Sequence, residues 1–273
     1  MNRPQVMGIV NVTPDSFSDG GRLATVEAAV AHGLRLVAQG ADSLDIGGES
    51  TRPGAAPVNA AEELARVLPV ITGLRAHWAG PISIDTMKPE VARAAVAAGA
   101  TIWNDVTALG GAPDSAAVAA ELGCTVVLMH MRGEPRTMQA DPRYDDVLAE
   151  VTGWLTDRAA AAMAAGVARE RIWLDPGLGF GKTAAHNLAL TAGLDRLVAT
   201  GFPVLYGASR KRTIQAIDPS ATDTGDRLGG SLALALAAAR RGAAVIRVHD
   251  VRETVQALTV QAAVRAGLPD RSD

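Results

Sequence analysis

The sequence predicts a single (β/α)8 barrel with its active site at the C-terminal ends of the strands. Three observations predict it. The 273-residue chain has the length of one large α/β barrel. Short apolar, β-branched runs alternate with alanine-rich helical segments from one end to the other. The runs are continuously apolar rather than alternating, as parallel strands buried on both faces are. No composition shift or Pro/Ser-rich linker marks a boundary, so residues 1–273 read as one domain. An open doubly wound sheet is the alternative compatible with the same alternation.

The candidate strands, in order, are 6–12, 43–47, 81–85, 101–105, 125–130, 171–175, 203–207 and 244–249. Between them, 25–39 places Val26, Val30, Leu34 and Val37 at near-helical spacing and stops at Gly40. Segment 62–75 does the same with Leu64, Val67, Leu68 and Ile71. Pro89 opens a helix over 90–98 as a first-turn proline, and Gly99 closes it. Residues 144–165 form the longest helical segment, and 226–241 and 253–266 complete the chain.

Hydrophobic residues make up 48% of the chain and charged residues 20%, which excludes a disordered protein. The one cysteine, Cys124, excludes an internal disulfide framework and a multi-cysteine zinc site. A net charge of −3 argues against a nucleic-acid-binding protein. No apolar run approaches the ~20 residues of a spanning helix. The N-terminus carries no signal-peptide pattern, so a cytoplasmic protein without membrane contact is expected.

In such barrels the loops after the strands build the site. Asp85, Asn104 and Asp175 end strands three, four and six. Two acids and an amide converging on one pocket suit the edge of an aminopyrimidinone ring; helix capping is the other use of these residue types. Ser209-Arg210-Lys211 and Arg247-x-His249 follow strands seven and eight, where barrels often hold phosphate. Arg247 lies in an apolar run and needs partners that repay its burial. Arg210 reads equally as a rim ion pair, and His249 as a structural histidine bonded to Asp250 or a carbonyl. PGLGFGKT (176–183) approaches a nucleotide P-loop, but Pro176 stands where that motif needs its first glycine, which excludes ATP here. Its glycines allow sharp turns close to a flat ligand, and Lys182 reads as a solvated loop lysine. The loops 13–21 and 50–54 are candidate mobile lids or ordinary connections. Cys124 reads as a small buried hydrophobe, and His32, His77 and His186 as surface or helix residues.

The stretches MGIVNVTPDSFSDGG, DIGGESTRPGA, SIDTMKPEVARAA, WNDVTAL, LMHM, LDPGLGFGKT, GASRK and IRVHDV run from residue 7 to residue 251. In that order they resemble the dihydropteroate synthase family. The resemblance implies a transferase of folate biosynthesis that condenses 7,8-dihydropterin-CH2-diphosphate with 4-aminobenzoate, releasing pyrophosphate. It implies Mg2+ as cofactor, sulfonamides as competitive inhibitors and a homodimer. The pterin contacts it implies are Asp85, Asn104, Met129, Asp175, Gly207 and Lys211, with Asp85, Asp175, Lys211 and Arg247 catalytic. Asn11 would hold the metal, and Asn11, Thr51, Arg247 and His249 would anchor the diphosphate. Asp15 and Phe17 belong to the first loop, and Ser50, Thr51 and Arg52 to the second. Pro53, Phe180 and the stem of Lys211 would wall the aminobenzoate pocket, bordered by Ser209 and Arg212. Many members carry serine where this chain has Arg212, which then either points to solvent or adds a screened attraction to the aminobenzoate carboxylate. One rival is a methyltetrahydrofolate–corrinoid methyltransferase, which would not need the cations of GASRK and RVHDV. The other is a non-catalytic pterin-binding paralogue, which would be expected to have lost loop or anchor residues.

Overall fold

The computed structural model describes residues 3–12, 26–50, 57–134 and 137–267. Its strands are β1 (Gln5–Asn11), β2 (Ser43–Gly47), β3 (Ile82–Asp85), β4 (Ile102–Asp105), β5 (Thr125–Met129), β6 (Ile172–Asp175), β7 (Leu205–Tyr206) and β8 (Val245–Val248). All pair in parallel in the order β6-β5-β4-β3-β2-β1-β8-β7. A bridge between Leu174 and Val204, with the Leu174 N–H donating to Pro203 O at 2.9 Å, joins β6 to β7 and closes the ring. The fold is the (β/α)8 barrel that the alternation predicts. Each strand begins and ends within two residues of its expected place. β7 is shorter than 203–207 because Pro203 has no N–H to give to a ladder.

The helices are α1 (Val26–Ala38), α2 (Ala60–Arg75), α3 (Pro89–Ala97), α4 (Ser115–Leu122), α5 (Val147–Ala164), α6 (Ala184–Ala192), α7 (Leu194–Val198), α8 (Arg212–Ile217), α9 (Leu228–Arg240) and α10 (Val251–Ala266). The pattern over 144–165 overestimates α5 at its start. Asp146 caps the helix by accepting from the Leu148 and Ala149 N–H groups, each at 3.0 Å, and Tyr144 stays outside it. The sequence reading names no helix at α4, α6, α7 or α8. These are short, and the alanines of α4 give little periodic contrast, although Gly123 closes α4 in the left-handed conformation that favours glycine. Among the described residues no helix is long and apolar enough to cross a membrane.

Alternation along the strands divides the core in two. Outward residues such as Val6, Val10, Leu44, Ile46, Ile84, Trp103, Leu128 and Leu174 pack under the helices. Met7, Ile102, Val127, Leu205 and Val245 form a separate apolar plug inside the ring. Two residues further along the strands, on the same inward face, come Asn104, Met129, Gly207 and Arg247. The plug thus fills the bottom of the barrel and leaves polar side chains at its mouth.

Candidate active site

The centre of the mouth is a buried chain of charges. Arg247 on β8 donates from Nε to Asp45 Oδ2 at 2.5 Å and from Nη2 to Asp85 Oδ2 at 2.8 Å. Asn104 Nδ2 donates to the same Asp45 oxygen at 3.0 Å. Asp45 is fully buried on β2, so it aims both the guanidinium and the amide. The sequence reading of candidate residues passes over Asp45. Its signal was an acid at an inward position of an apolar strand, the same argument that singles out Arg247.

The remaining mouth residues fall into place by register. Asp85 sits opposite Asn104, Met129 opposite Asp175, and Asn11 opposite Gly47. Asp175 Oδ1 accepts from the Gly177 N–H at 2.7 Å. Lys211 Nζ donates to Leu178 O and lies 4.9 Å from the centroid of the Phe180 ring. Asp175, Lys211 and Phe180 therefore share one side of the mouth. Gly207 leaves room beside Arg247, since a Cβ there would stand 3.9 Å from the Arg247 Cβ.

Burial shifts these groups toward their neutral forms. The Asp85 carboxyl is pushed up to about 7 by burial and then by the neighbouring Asp45 charge, against the pull of Arg247. Asp175 is raised by burial, while Lys211, the Gly177 N–H and Arg247 hold it down. Burial lowers the Lys211 ammonium to about 8, with Asp175 acting in the opposite direction.

At the rim, the Ser209 hydroxyl lies 3.1 Å from His249 Nδ1 and accepts the His249 N–H at 3.2 Å. Asp250 instead takes Arg210, with contacts of 3.1 and 2.7 Å, so Arg210 is the rim ion pair. Arg212 opens α8 and is exposed, and Ser50 is half-buried at the end of β2's loop stem. Asp15, Phe17, Thr51, Arg52 and Pro53 lie outside the described residues.

Lys182 corrects the sequence reading. It is not solvated but 2% exposed, with its ammonium packed among carbonyls. His186 also has a specific task, since it completes the capping box of α6 with Thr183. The reading of PGLGFGKT as a sharply turning loop holds. Gly177, Gly179 and Gly181 all take left-handed backbone, with φ of 65°, 80° and 63°. The sequence reading gives no role to Lys88 or to His130, which it places at the end of the fifth strand. Lys88 bridges Glu49 and the fully buried Glu63 at 2.6 Å each, behind Asp85. His130, at the end of β5, is held neutral by burial and by Lys182, down to about 3.

Acids and an amide at the barrel mouth, with Lys211 and Arg247 beside them, define an enzyme site for a flat hydrogen-bonding ring that carries an anionic group. The profile of the family described as pterin binding enzyme matches residues 7–249. The dihydropteroate synthase of Escherichia coli K12 is 48% identical over 263 residues, spanning 95% of this chain and 91% of the relative. Xanthomonas albilineans dihydropteroate synthase, solved with 4-aminobenzoic acid, superimposes with a TM-score of 0.91 at 56% identity, covering 98% of this chain and 95% of that one. The Yersinia pestis dihydropteroate synthase, solved as a sulfonamide drug complex, gives 0.93 at 44% identity over 97% and 95%. The chain belongs to the pterin-binding enzymes and, among them, to the dihydropteroate synthase family.

Proposed function

We propose that the chain condenses 7,8-dihydropterin-CH2-diphosphate with 4-aminobenzoate, giving 7,8-dihydropteroate and pyrophosphate in folate biosynthesis. The observation that carries this reading is the single mouth shared by Asp85, Asn104, Asp175, Lys211 and Arg247. Asp85, Asn104 and Asp175 supply acceptors and a donor to the edge of the pterin, with Met129 and Gly207 beside the ring. Arg247 is already clamped by two carboxylates, and its Nη1 has no partner among the described residues. That leaves it a donor for a phosphate oxygen, near His249 on the same strand end.

The reaction breaks the bond from the pterin methylene to the diphosphate oxygen and forms a bond from the methylene to the arylamine nitrogen. The amine then loses a proton. As the first bond loosens, positive charge grows on the pterin, and the buried carboxylates Asp175 and Asp85 stabilise it. Lys211 and Arg247 take up the charge of the departing diphosphate. No side-chain nucleophile is required. Phe180 and the stem of Lys211 form one wall for the aminobenzoate ring, and sulfonamides compete for the same place. At the rim, Arg212 adds a screened attraction for the carboxylate.

Among the described residues no three His, Cys, Asp or Glu side chains gather into a metal site. Mg2+ that keeps its waters and takes phosphate oxygens needs only one or two protein oxygens. Asn11 fits that need: its Oδ1 lies 3.6 Å from where a Cβ on Gly47 would stand, at the mouth beside Asp85. The ion would offset diphosphate charge. We further assign the enzyme to the cytoplasm, where a diphosphorylated substrate is retained, and to a homodimer.

A corrinoid methyltransferase would have no use for two cations at this mouth, and a silent paralogue would not turn over. Both are separated by one assay: pyrophosphate release from dihydropterin diphosphate with Mg2+, with and without 4-aminobenzoate. Release that requires the arylamine is the expected result. No release, or release indifferent to the arylamine, would overturn the reading.

A further inference from the structure

Lys182 is a buried lysine, 2% exposed, with no carboxylate partner among the described residues. Its Nζ donates to the carbonyls of Gly177 and Phe180, each at 3.0 Å, and to that of His130 at 3.2 Å, and it stands 2.9 Å from His130 Nδ1. Burial works against the ammonium and lowers it to about 7, with Asp175 pulling it back up. An apolar side chain would fill the same volume without that cost. Its residue type is therefore explained by what it gathers rather than by core packing.

What it gathers is the loop after β6. That loop contains three left-handed glycines, at 177, 179 and 181, and so is costly to fix in one conformation. Phe180 projects from it, and Leu178 O receives Lys211 Nζ. The position of the loop therefore sets where the Phe180 ring stands under the Lys211 ammonium, 4.9 Å away. The other ties each reach a single point of the loop. Asp175 holds the Gly177 N–H, Asn187 Oδ1 holds the Gly179 N–H at 3.0 Å, and Tyr144 O–H reaches Gly181 O at 2.9 Å. Among the described residues, only the Lys182 ammonium joins both ends of the turn, Gly177 and Phe180, to the end of β5.

We propose that Lys182 is a positioning residue for the arylamine: by collecting the carbonyls of Gly177, Phe180 and His130 on one ammonium, it fixes the Phe180–Lys211 wall of the aminobenzoate pocket. The proposal rests on the condensation reaction assigned above. It makes the two substrates unequal in degree: Phe180, which faces the arylamine, sits on this loop, whereas Asp85, Asn104 and Arg247 are held by bonds outside it and only Asp175 and Lys211 among the pterin contacts touch it, through one bond each.

The test is steady-state kinetics of Lys182→Met, Lys182→Arg and His130→Leu beside wild-type enzyme, with folding checked by thermal unfolding. Lys182→Met is expected to raise KM for 4-aminobenzoate at least tenfold and to raise KM for the dihydropterin substrate several-fold less. Lys182→Arg, which keeps the donors, is expected to recover most of the loss. His130→Leu removes the ring acceptor and the ring's contacts with Tyr144 and Trp154 but keeps the His130 carbonyl, and is expected to raise the same KM two- to fourfold. A folded Lys182→Met with wild-type KM for 4-aminobenzoate, or with both KM values raised equally, overturns the proposal. Should Lys182→Met not fold, Lys182→Arg and His130→Leu decide: unchanged arylamine KM in His130→Leu, or equal shifts for both substrates in either, overturns it. Wild-type turnover in the same experiment keeps this outcome separate from a failure of the functional assignment.

Discussion

In the proposed reaction Asp175 carries several tasks in one side chain. One oxygen accepts the Gly177 N–H at 2.7 Å and so belongs to the loop. The carboxylate as a whole lies near Lys211 and Arg247, which hold it toward the charged form against the effect of burial. An asparagine could keep the loop bond through its own oxygen. It would then present an NH2 donor where the carboxylate presents an acceptor, and it would remove the negative charge that offsets the pterin cation. Asp175→Asn should therefore fold normally and lose activity. A hydrogen bond to a charged group is worth ~1.5–3 kcal/mol, which sets a loss in kcat/KM of roughly ten- to a hundredfold as the floor. Wild-type kcat/KM in this variant would remove Asp175 from the mechanism. Asp45 shows the limit of residue-scale reading. Its role comes from being opposite Arg247, two residues 202 positions apart in sequence, and the pairing of β1 with both β2 and β8 brings them to the same mouth.

The β6 loop shows how an element combines conformation with packing. At Gly177, φ is +65°, and a Cβ there would stand 1.9 Å from His130 O. Left-handed backbone costs an L-residue ~1–2 kcal/mol before any clash is counted. Gly153, inside α5, has ordinary backbone and nothing within 4 Å of its would-be Cβ. Gly177→Ala should lower stability by more than ~2 kcal/mol, whereas Gly153→Ala should raise it by ~0.5–1 kcal/mol. Thermal unfolding of the pair is the check, and equal midpoints would mean the loop does not depend on its glycine. The sequence shows the elements unevenly for physical reasons. The strands are legible because parallel strands buried on both faces must be apolar throughout. The mouth acids are legible because polar residues at strand ends stand out against such runs. α6, α7 and α8 are not, because they are short and lie among glycines and caps that resemble loop sequence. Lys182 is misread for a related reason: its partner His130 is 52 positions away, just past the end of β5.

At the scale of the molecule, a chain of net charge −3 holds an anionic substrate by arranging a few cations against buried acids at one end of a barrel. That arrangement predicts a narrow pH optimum. On the proposed roles, reaction with the dihydropterin substrate needs Asp85 ionised, as acceptor and negative charge, and Lys211 protonated, as donor and positive charge. Burial and Asp45 place Asp85 at about 7, so its ionised form is lost as pH falls through that value. Burial places Lys211 at about 8, so its protonated form is lost as pH rises through that value. The doubly correct form then peaks between these two values, and kcat/KM for the dihydropterin substrate should fall on both sides. Because Asp45, Asp85, Arg247, Asp175 and Lys211 interact, the two limbs belong to the cluster rather than to isolated groups. Asp85→Asn assigns the acid limb. It removes the titrating carboxyl, so the acid limb should disappear while the alkaline limb remains, at a lower plateau. A flat wild-type profile between pH 6 and 9, or an acid limb that survives in Asp85→Asn, would show that the buried charge cluster does not set the pH dependence of this mouth.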